Sequence, residues 1–171
     1  LSSLRRRGCA LTVYPYDAPA AEILEDDPDG ILLSNGPGDP TEHPEVADIV
    51  RELMGKKPMM GICMGHLMLA RAAGADTEAL RYGHRGANHP VKDLAKDRIY
   101  ITSQNHGYCV SDDLPAGIEV SHRSWNDQTI EGLRYTDIPA FTVQFHPEAS
   151  PGPKDTGYLF DEFMQLVERC K

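Results

Sequence analysis

The stretch that decides the fold is GICMGHLMLA, residues 61–70. A short apolar run, residues 58–60, precedes it and an apolar helical pattern follows, so the stretch predicts a strand, a glycine-flanked turn and a helix. Cys63 lies at the tip of this turn, at the N-terminus of the helix. Unpaired backbone N–H groups and the helix dipole favour an anion there, which predicts that the thiol ionises readily and acts as a nucleophile.

Strands and helices alternate around this turn. The strands are predicted over residues 10–14, 31–34 and 58–62, and the helices over residues 19–24, 44–55 and 64–73. Alternation of this kind is typical of an α/β fold with a doubly wound, mostly parallel mixed sheet. We therefore expect helices flanking both faces of the sheet.

The pattern changes from residue 77 onwards. Short strands separated by turns are predicted over residues 99–102, 118–121, 128–134 and 140–145, which indicates an antiparallel or mixed segment added to the sheet. An amphipathic helix over residues 156–169 follows. Five apolar residues are predicted on its inner face: Leu159, Phe160, Phe163, Leu166 and Val167.

The first nine residues resemble the end of a helix capped near Gly8. A doubly wound domain usually opens on a strand that lies in the middle of its sheet. We therefore expect that the first strand is missing from this sequence, that another chain supplies it, or that the numbering omits residues. What remains is predicted to be one N-terminally incomplete domain, residues 1–171, since this length suffices for one hydrophobic core.

Composition narrows the classes of partner. The formal net charge of −9 argues against nucleic acid or an anionic membrane surface as the main partner. No apolar run approaches the roughly 20 residues that a membrane helix needs. The four cysteines have no paired spacing and no CxxC motif, which favours a reduced, cytoplasmic protein.

A second segment, QFHPE at residues 144–148, offers a base and a carboxylate. Pro147 favours an extended conformation at His146, and extended residues two apart point the same way. Glu148 is therefore predicted to hold the imidazole of His146 while the other ring nitrogen faces the thiol. Four other histidines are interpreted as satisfied surface or loop residues: His43, His84, His89 and His122.

Two polar segments complete the set of candidates. NGPG at residues 35–38 follows a predicted strand, so it lies near the carboxyl edge of the sheet, where glycines let the backbone approach a ligand. It lacks the GxxxxGK[ST] pattern of a phosphate loop. NHGY at residues 105–108 is by itself a predicted turn, and beside a cysteine nucleophile it is a predicted substrate clamp.

Together these motifs resemble the class I (triad) glutamine amidotransferases, and most closely the carbamoyl-phosphate synthetase branch of that family. The resemblance rests on five segments: SNGPGDP at 34–40, GICMGH at 61–66, GHRGANHPVKD at 83–93, TSQNHGY at 102–108 and QFHPEASPGP at 144–153. It implies a flavodoxin-like fold and hydrolysis of L-glutamine to glutamate and ammonia. It also implies one partner, an ATP-dependent synthetase large subunit, with no metal or cofactor.

The resemblance also implies roles for individual residues. Cys63 matches the nucleophile, His146 the base and Glu148 the orienting acid. Two residues match the backbone donors of the oxyanion hole, Gly38 and Met64. Four residues match positions that line the glutamine site: Gly36, Asn105, Gly107 and Tyr108.

One position departs from the family pattern, which has glutamine where this chain has Leu67. Residue 67 lies one helical turn from Cys63, so its side chain is expected to reach the substrate pocket. Loss of an amide partner there is expected to weaken glutamine binding by about 1–3 kcal/mol. Two alternatives therefore stay open: a triad amidotransferase that serves another synthetase, and a non-catalytic domain that keeps the fold for interaction or regulation.

Overall fold

A seven-stranded mixed sheet carries the fold in the computed structural model, which describes residues 1–149 and 152–171. Its strands are β1 (Ile31–Leu33), β2 (Met59–Ile62), β3 (Thr77–Asp93), β4 (Arg98–Val110), β5 (Ile118–Ser124), β6 (Ile130–Tyr135) and β7 (Ala140–Val143). They lie in the order β1-β2-β7-β6-β5-β3-β4. The helices are α1 (Ser2–Arg5), α2 (Ala20–Glu25), α3 (Pro44–Leu53), α4 (Met64–Ala72) and α5 (Tyr158–Arg169).

Three neighbouring strands, β1, β2 and β7, run parallel. In the register of these pairs Leu33 lies opposite Gly61, and Ile62 lies opposite Val143. The carboxyl ends of all three strands therefore meet at one edge of the sheet, where ligands bind in open α/β folds. The segments that follow the strands at this edge are the loop after β1, the Cys63 turn and the His146 segment.

The two faces of the parallel part bury separate apolar clusters, because successive strand residues point to opposite faces. Met59 packs with α3 and α4, whereas Met60 packs with α1 and α5. Helix α5 contributes four of the five residues predicted on its inner face as fully buried, and Leu166 packs partly buried against the same cluster. The predicted α/β sheet flanked by helices is thereby confirmed.

The antiparallel part is larger than the sequence predicted. It comprises the pairings β7–β6, β6–β5, β5–β3 and β3–β4. Strands β3 and β4 form a long ribbon, and β3 was not predicted at all, because its polar and glycine-containing sequence lacks the apolar alternation of a half-buried strand. The segment 105–108 is part of β4, so the prediction of a turn there was wrong.

The strand predicted over residues 10–14 is also absent from the described residues, where this segment is irregular. A strand needs a backbone partner, and no described strand lies alongside these residues. Leu11 instead packs against the α5 cluster, and Val13 is exposed. Within the described part of the chain, the search for a helix long and apolar enough to cross a membrane finds none.

Candidate active site

Cys63 occupies a strained turn between β2 and α4, with φ 54° and ψ −105°. A residue other than glycine in such a region costs about 1–3 kcal/mol and persists only where its surroundings impose it. The Cys63 N–H donates to Val143 O at 2.9 Å, and the Cys63 carbonyl accepts from the His66 and Leu67 N–H groups. The thiol is thus held at the start of α4, 5% exposed, at the edge where β2 and β7 end.

Two glycines allow the close packing of this turn. A Cβ atom on Gly65 would lie 2.2 Å from the carbonyl oxygen of Leu33 in β1. A Cβ atom on Gly61 would lie 2.7 Å from the Gly65 carbonyl oxygen and 2.8 Å from Thr142 Cγ2. Any side chain at these positions would push α4 away from the sheet and displace Cys63.

His146 lies beside the thiol and is held by Glu148. Its Nδ1 atom is 2.7 Å from Glu148 Oε1, and the imidazole also hydrogen-bonds Cys63. The hydrogen bond to Cys63, followed by that to Glu148, outweighs partial burial and raises the His146 pKa to about 10. Burial opposes ionisation of Glu148, but its hydrogen bond to His146 leaves the carboxyl pKa below its usual value.

The imidazole of His146 thus bridges the Cys63 thiol and the Glu148 carboxylate. Because Nδ1 faces a carboxylate, it carries a proton and leaves Nε2 for the thiol. The three side chains therefore form a relay that can move a proton between the sulfur and a leaving group. The structure brings together all three residues that the sequence predicted for this chemistry.

The loop after β1 and the strand β4 close the site from two sides. The Tyr108 hydroxyl hydrogen-bonds Asp39, which joins β4 to the NGPGDP loop. The Cys63 thiol donates a long hydrogen bond to the Asn105 carbonyl oxygen, with Sγ and O 4.0 Å apart. Gly36 lies against Met64, since a Cβ atom built on Gly36 would sit 3.7 Å from the Met64 side chain.

Three more predicted site residues lie in the loop after β1, in β4 and in α4, respectively. Gly38 is exposed in the loop with φ +100°, and a Cβ atom there would meet nothing within 4 Å. Gly107 lies in β4, half-buried between Asn105 and the buried end of the strand. Leu67 is 2% exposed and packs in the core cluster of α3 and α4, whereas Cys63 packs in the α5 cluster.

A buried polar cluster next to the site was missed by sequence reasoning. The ligand atoms of His84, His106 and Glu131 lie within 4.8 Å of one another, a spacing that could hold a metal ion. His84 Nδ1 already lies 3.0 Å from Glu131 Oε1 and 2.9 Å from Gln104 Oε1, so hydrogen bonds account for its position. No sequence signal marks Gln104 and His106 as inward-facing, because TSQNHGY lacks the apolar alternation by which a half-buried strand is predicted.

Of the four histidines interpreted as surface or loop residues, His89 is half-buried and lies in β3. His43 is a surface residue paired with Glu45 at 2.9 Å. His84 and His122 are buried, at 8% and 2% exposure, in β3 and β5, so the surface interpretation was wrong for both. It failed because the strands that enclose them come from segments far apart in sequence. Within the predicted segment 144–153, residues 150 and 151 lie outside the described residues.

Comparison with known proteins agrees with this geometry. A family profile described as "Glutamine amidotransferase class-I" matches residues 1–166. Carbamoyl phosphate synthase small chain of Bacillus caldolyticus is 54% identical over 169 residues, which cover 98% of this chain and 46% of that protein. The small chain of Clostridium perfringens is 55% identical over 162 residues, with 95% and 46% covered.

A third relative carries a more specific name. The carbamoyl phosphate synthase pyrimidine-specific small chain of Bacillus subtilis is 52% identical over 168 residues, which cover 98% of this chain and 46% of the relative. The chain thus spans about half the length of the curated relatives it matches.

A solved structure shows the same fold at low sequence identity. It is described as a putative GMP synthase protein from Thermoplasma acidophilum, with a TM-score of 0.86 and 21% identity. The match covers 99% of this chain and 86% of the other.

Proposed function

Because the chain belongs to the class I glutamine amidotransferase family, we propose that it hydrolyses L-glutamine to glutamate and ammonia. The observation that supports this activity most directly is the contact of the His146 imidazole with the Cys63 thiol on one side and with Glu148 on the other. We propose that residues 1–171 act as one amidotransferase domain.

In the first step, the Cys63 thiolate attacks the side-chain amide carbon of glutamine. The carbonyl oxygen becomes an oxyanion, and we assign the backbone N–H groups of Gly38 and Met64 as its donors. Met64 is the first residue of α4, where N–H groups lack partners within the helix. Donors placed in advance around a developing charge make the largest contribution in many enzymes, and loss of one costs about 10²–10³ in kcat.

In the second step, the imidazolium of His146 gives its Nε2 proton to the departing nitrogen. The C–N bond breaks, ammonia leaves, and a thioester joins Cys63 to the glutamyl group. His146, now neutral, removes a proton from water, whose oxygen attacks the thioester carbon. Collapse of this second oxyanion releases glutamate and returns the Cys63 thiolate beside protonated His146. Glu148 keeps the imidazole in the required orientation throughout.

The pocket around the thiol is proposed to be lined by four residues that match glutamine-site positions of the family, Gly36, Asn105, Gly107 and Tyr108. Leu67, which departs from the family pattern, is proposed to border the same pocket. The hydrogen bond between Tyr108 and Asp39 supports this placement, because it joins two of the segments involved. Leu67 can offer only its methyl groups to a polar substrate. This substitution is expected to raise KM rather than to alter the chemistry at sulfur.

The ammonia is proposed to pass to an ATP-dependent synthetase large subunit that makes carbamoyl phosphate. The names of three relatives, all small chains of carbamoyl phosphate synthase, support this partner. A cytoplasmic location is proposed with it. The net charge of −9 supports the view that neither nucleic acid nor an anionic membrane is a main partner.

A glutaminase assay of the intact protein, with and without the large subunit, tests the proposal. We expect glutamate release that Cys63→Ser abolishes. Cys170→Ser is the matched control, since Cys170 is an exposed cysteine that follows α5. Absence of glutamate release from the wild-type assembly would exclude the activity and favour a non-catalytic domain.

A further inference from the structure

The free edge of β4 contacts both reactive residues through backbone carbonyls. Ser103 O accepts a hydrogen bond from the His146 N–H at 2.9 Å, and Asn105 O lies 4.0 Å from Cys63 Sγ. Carbonyls two residues apart point to the same side of a strand. Strand β4 ends the sheet order, so β3 is its single ladder partner among the described strands. The contacts made by the side chains of β4 therefore affect the distance between this edge and the two reactive residues.

Gln104 lies between the two residues that contribute these carbonyl groups, and its side chain is on the opposite face of the strand from theirs, in the interior. It is 3% exposed. Its Oε1 atom accepts hydrogen bonds from His84 Nδ1 at 2.9 Å and from His106 Nε2 at 2.8 Å. Its Nε2 atom donates to Thr102 Oγ1 at 3.1 Å, which sets the orientation of the amide. Two imidazoles thus hold the middle residue of the segment 103–105.

The backbone pairing of β3 with β4 is irregular near Gln104. His84 pairs with His106 and Gly86 pairs with Gln104, but the register shifts on both sides of this short run. Register shifts leave backbone groups unpaired and bend the strand locally. The side-chain network therefore adds a restraint on the segment 103–105 to the short run of ladder pairs.

Glu131 in β6 connects this network to the other half of the site. It is fully buried, and its carboxylate lies 3.0 Å from His84 Nδ1 and 3.6 Å from His106 Nε2. Its backbone carbonyl accepts from the Gln144 N–H at 2.9 Å, two residues before His146. One residue thus holds β4 through its side chain and the His146 segment through its backbone.

The His84 imidazole lies between two carboxylates, those of Glu131 and Asp127. His84 also contacts Asp127, with Nε2 at 2.7 Å from Oδ2. The hydrogen bond to Glu131, opposed by burial and reinforced by Asp127, raises the pKa of His84 to about 9. Burial opposes ionisation of Glu131, but the hydrogen bonds from His106 and His84 keep its pKa below the usual value. The connection between His84 and Glu131 is therefore charge-assisted, and such hydrogen bonds are stronger than those between neutral groups.

We propose that Glu131 is a positioning residue, which acts through His84 and Gln104 to set the distance of the β4 segment 103–105 from Cys63 and His146. This inference rests on the proposed function where it concerns glutamine. The segment includes Asn105, assigned above to the substrate pocket, so a shift of β4 would misplace the substrate first. His146 keeps its own restraint from Glu148.

Steady-state kinetics of the intact protein with its large subunit test the role in binding. We expect Glu131→Leu to raise the KM for glutamine at least about tenfold, since small misplacements have large kinetic effects. The kcat of this variant, counted per alkylatable Cys63, should stay within about threefold of the wild-type value. A partly unfolded sample would give a lower kcat instead. Glu131→Gln keeps an acceptor for His84 and should restore KM to within about threefold of wild type.

Asp93→Asn is the matched control. Asp93 is a second buried carboxylate beside a histidine, 3.6 Å from His122 Nε2, at the far end of β3. The Asp93→Asn variant should lose about as much thermal stability as Glu131→Leu, but its KM for glutamine should equal that of wild type. Gln104→Leu replaces Glu131→Leu if the latter does not fold, because it cuts the same connection. A KM for both leucine variants equal to that of Asp93→Asn would overturn the proposal.

Hydrogen exchange separates this inference from the proposed function. The His146 amide, bonded to Ser103 O, should exchange at least about tenfold faster in Glu131→Leu than in Asp93→Asn, because its acceptor is no longer held. If the wild-type protein releases no glutamate, the proposed activity is wrong. The exchange rate of the His146 amide would still show whether Glu131 positions β4. Unchanged protection of the His146 amide would overturn it.

Discussion

The backbone N–H of Cys63 donates a hydrogen bond to the carbonyl oxygen of Val143, at 2.9 Å. This bond continues the parallel pairing of β2 and β7 beyond Ile62. It ties the residue that carries the thiol to a point three residues before His146. Because both strands run in the same direction, the thiol and the imidazole leave the sheet at the same edge. The pairing of the two residues thus follows from strand direction and register.

Selective labelling tests the assignment of Cys63 as the nucleophile. A diazo-ketone analogue of glutamine should modify Cys63 before the other cysteines, because only Cys63 combines a helix N-terminus with an imidazole partner. Burial, followed by the charge of Glu78, raises the pKa of Cys109 to about 12, so that thiol should be inert. Peptide mapping after brief exposure is the measurement. Preferential modification of the exposed Cys170 would exclude the assignment.

Substitutions in the His146–Glu148 pair should have unequal effects. His146→Asn removes the group that carries the proton and should lower kcat by about 10²–10⁴-fold. Glu148→Gln keeps an acceptor for Nδ1 and should lose less activity. Glutaminase rates of both variants, compared at equal fractions of folded protein, are the measurement. Full activity of His146→Asn would mean that another base operates.

The raised pKa of His146 predicts a pH-dependent contribution to stability. Its value rises from 6.5 to about 10 on folding, first through Cys63 and then through Glu148. The contribution is therefore complete below pH 6.5 and is lost as the pH rises towards about 10. The difference in Tm between wild type and His146→Gln should shrink across this range.

His43→Gln is the control for that experiment, since His43 is an exposed histidine with a carboxylate partner. Its Tm difference from wild type should stay small throughout the range. A wild-type advantage over His146→Gln that grows towards alkaline pH would contradict the expected sign of the effect.

Gly65→Ala should destabilise the fold. Its Cβ atom would lie 2.2 Å from the carbonyl oxygen of Leu33, a backbone atom that cannot rotate away. Overpacking of this kind costs about 1–3 kcal/mol, or more. Gly107→Ala is the control, since its Cβ atom would meet only the end of the Arg85 side chain at 3.7 Å. Equal midpoints of chemical denaturation for the two variants would exclude the close packing described for α4.

Leu67→Gln tests the departure from the family pattern. If residue 67 borders the substrate, an amide there should lower KM with little change in kcat, because the contact is made in the ground and transition states alike. The same amide enters apolar surroundings, so stability should fall by about 1–3 kcal/mol. Kinetics and a melting curve of the same sample give both quantities. An unchanged kcat/KM would mean that residue 67 does not touch glutamine.

The sequence alone determined the parts of this protein that depend on local chemistry. The stretch 61–70 predicted strand, turn and helix, and the structure confirms β2, the Cys63 turn and α4. The motifs also identified the family, which the match over residues 1–166 confirms. These conclusions were accessible because glycine sterics, helix starts and apolar periodicity act within about ten residues. The catalytic roles of Cys63, His146 and Glu148 stay predictions.

The tertiary structure alone decided what depends on residues far apart in the chain. Strand β3 and the part of β4 beyond the predicted strand 99–102 escaped detection, because these strands are stabilised by each other rather than by their own apolar pattern. For the same reason the segment 10–14, with a strand-like sequence, forms no strand in the described residues. The network of Glu131, His84 and Gln104 joins β6, β3 and β4. No sequence pattern marks these contacts, because burial and hydrogen-bond partners are set only once the sheet has formed its register.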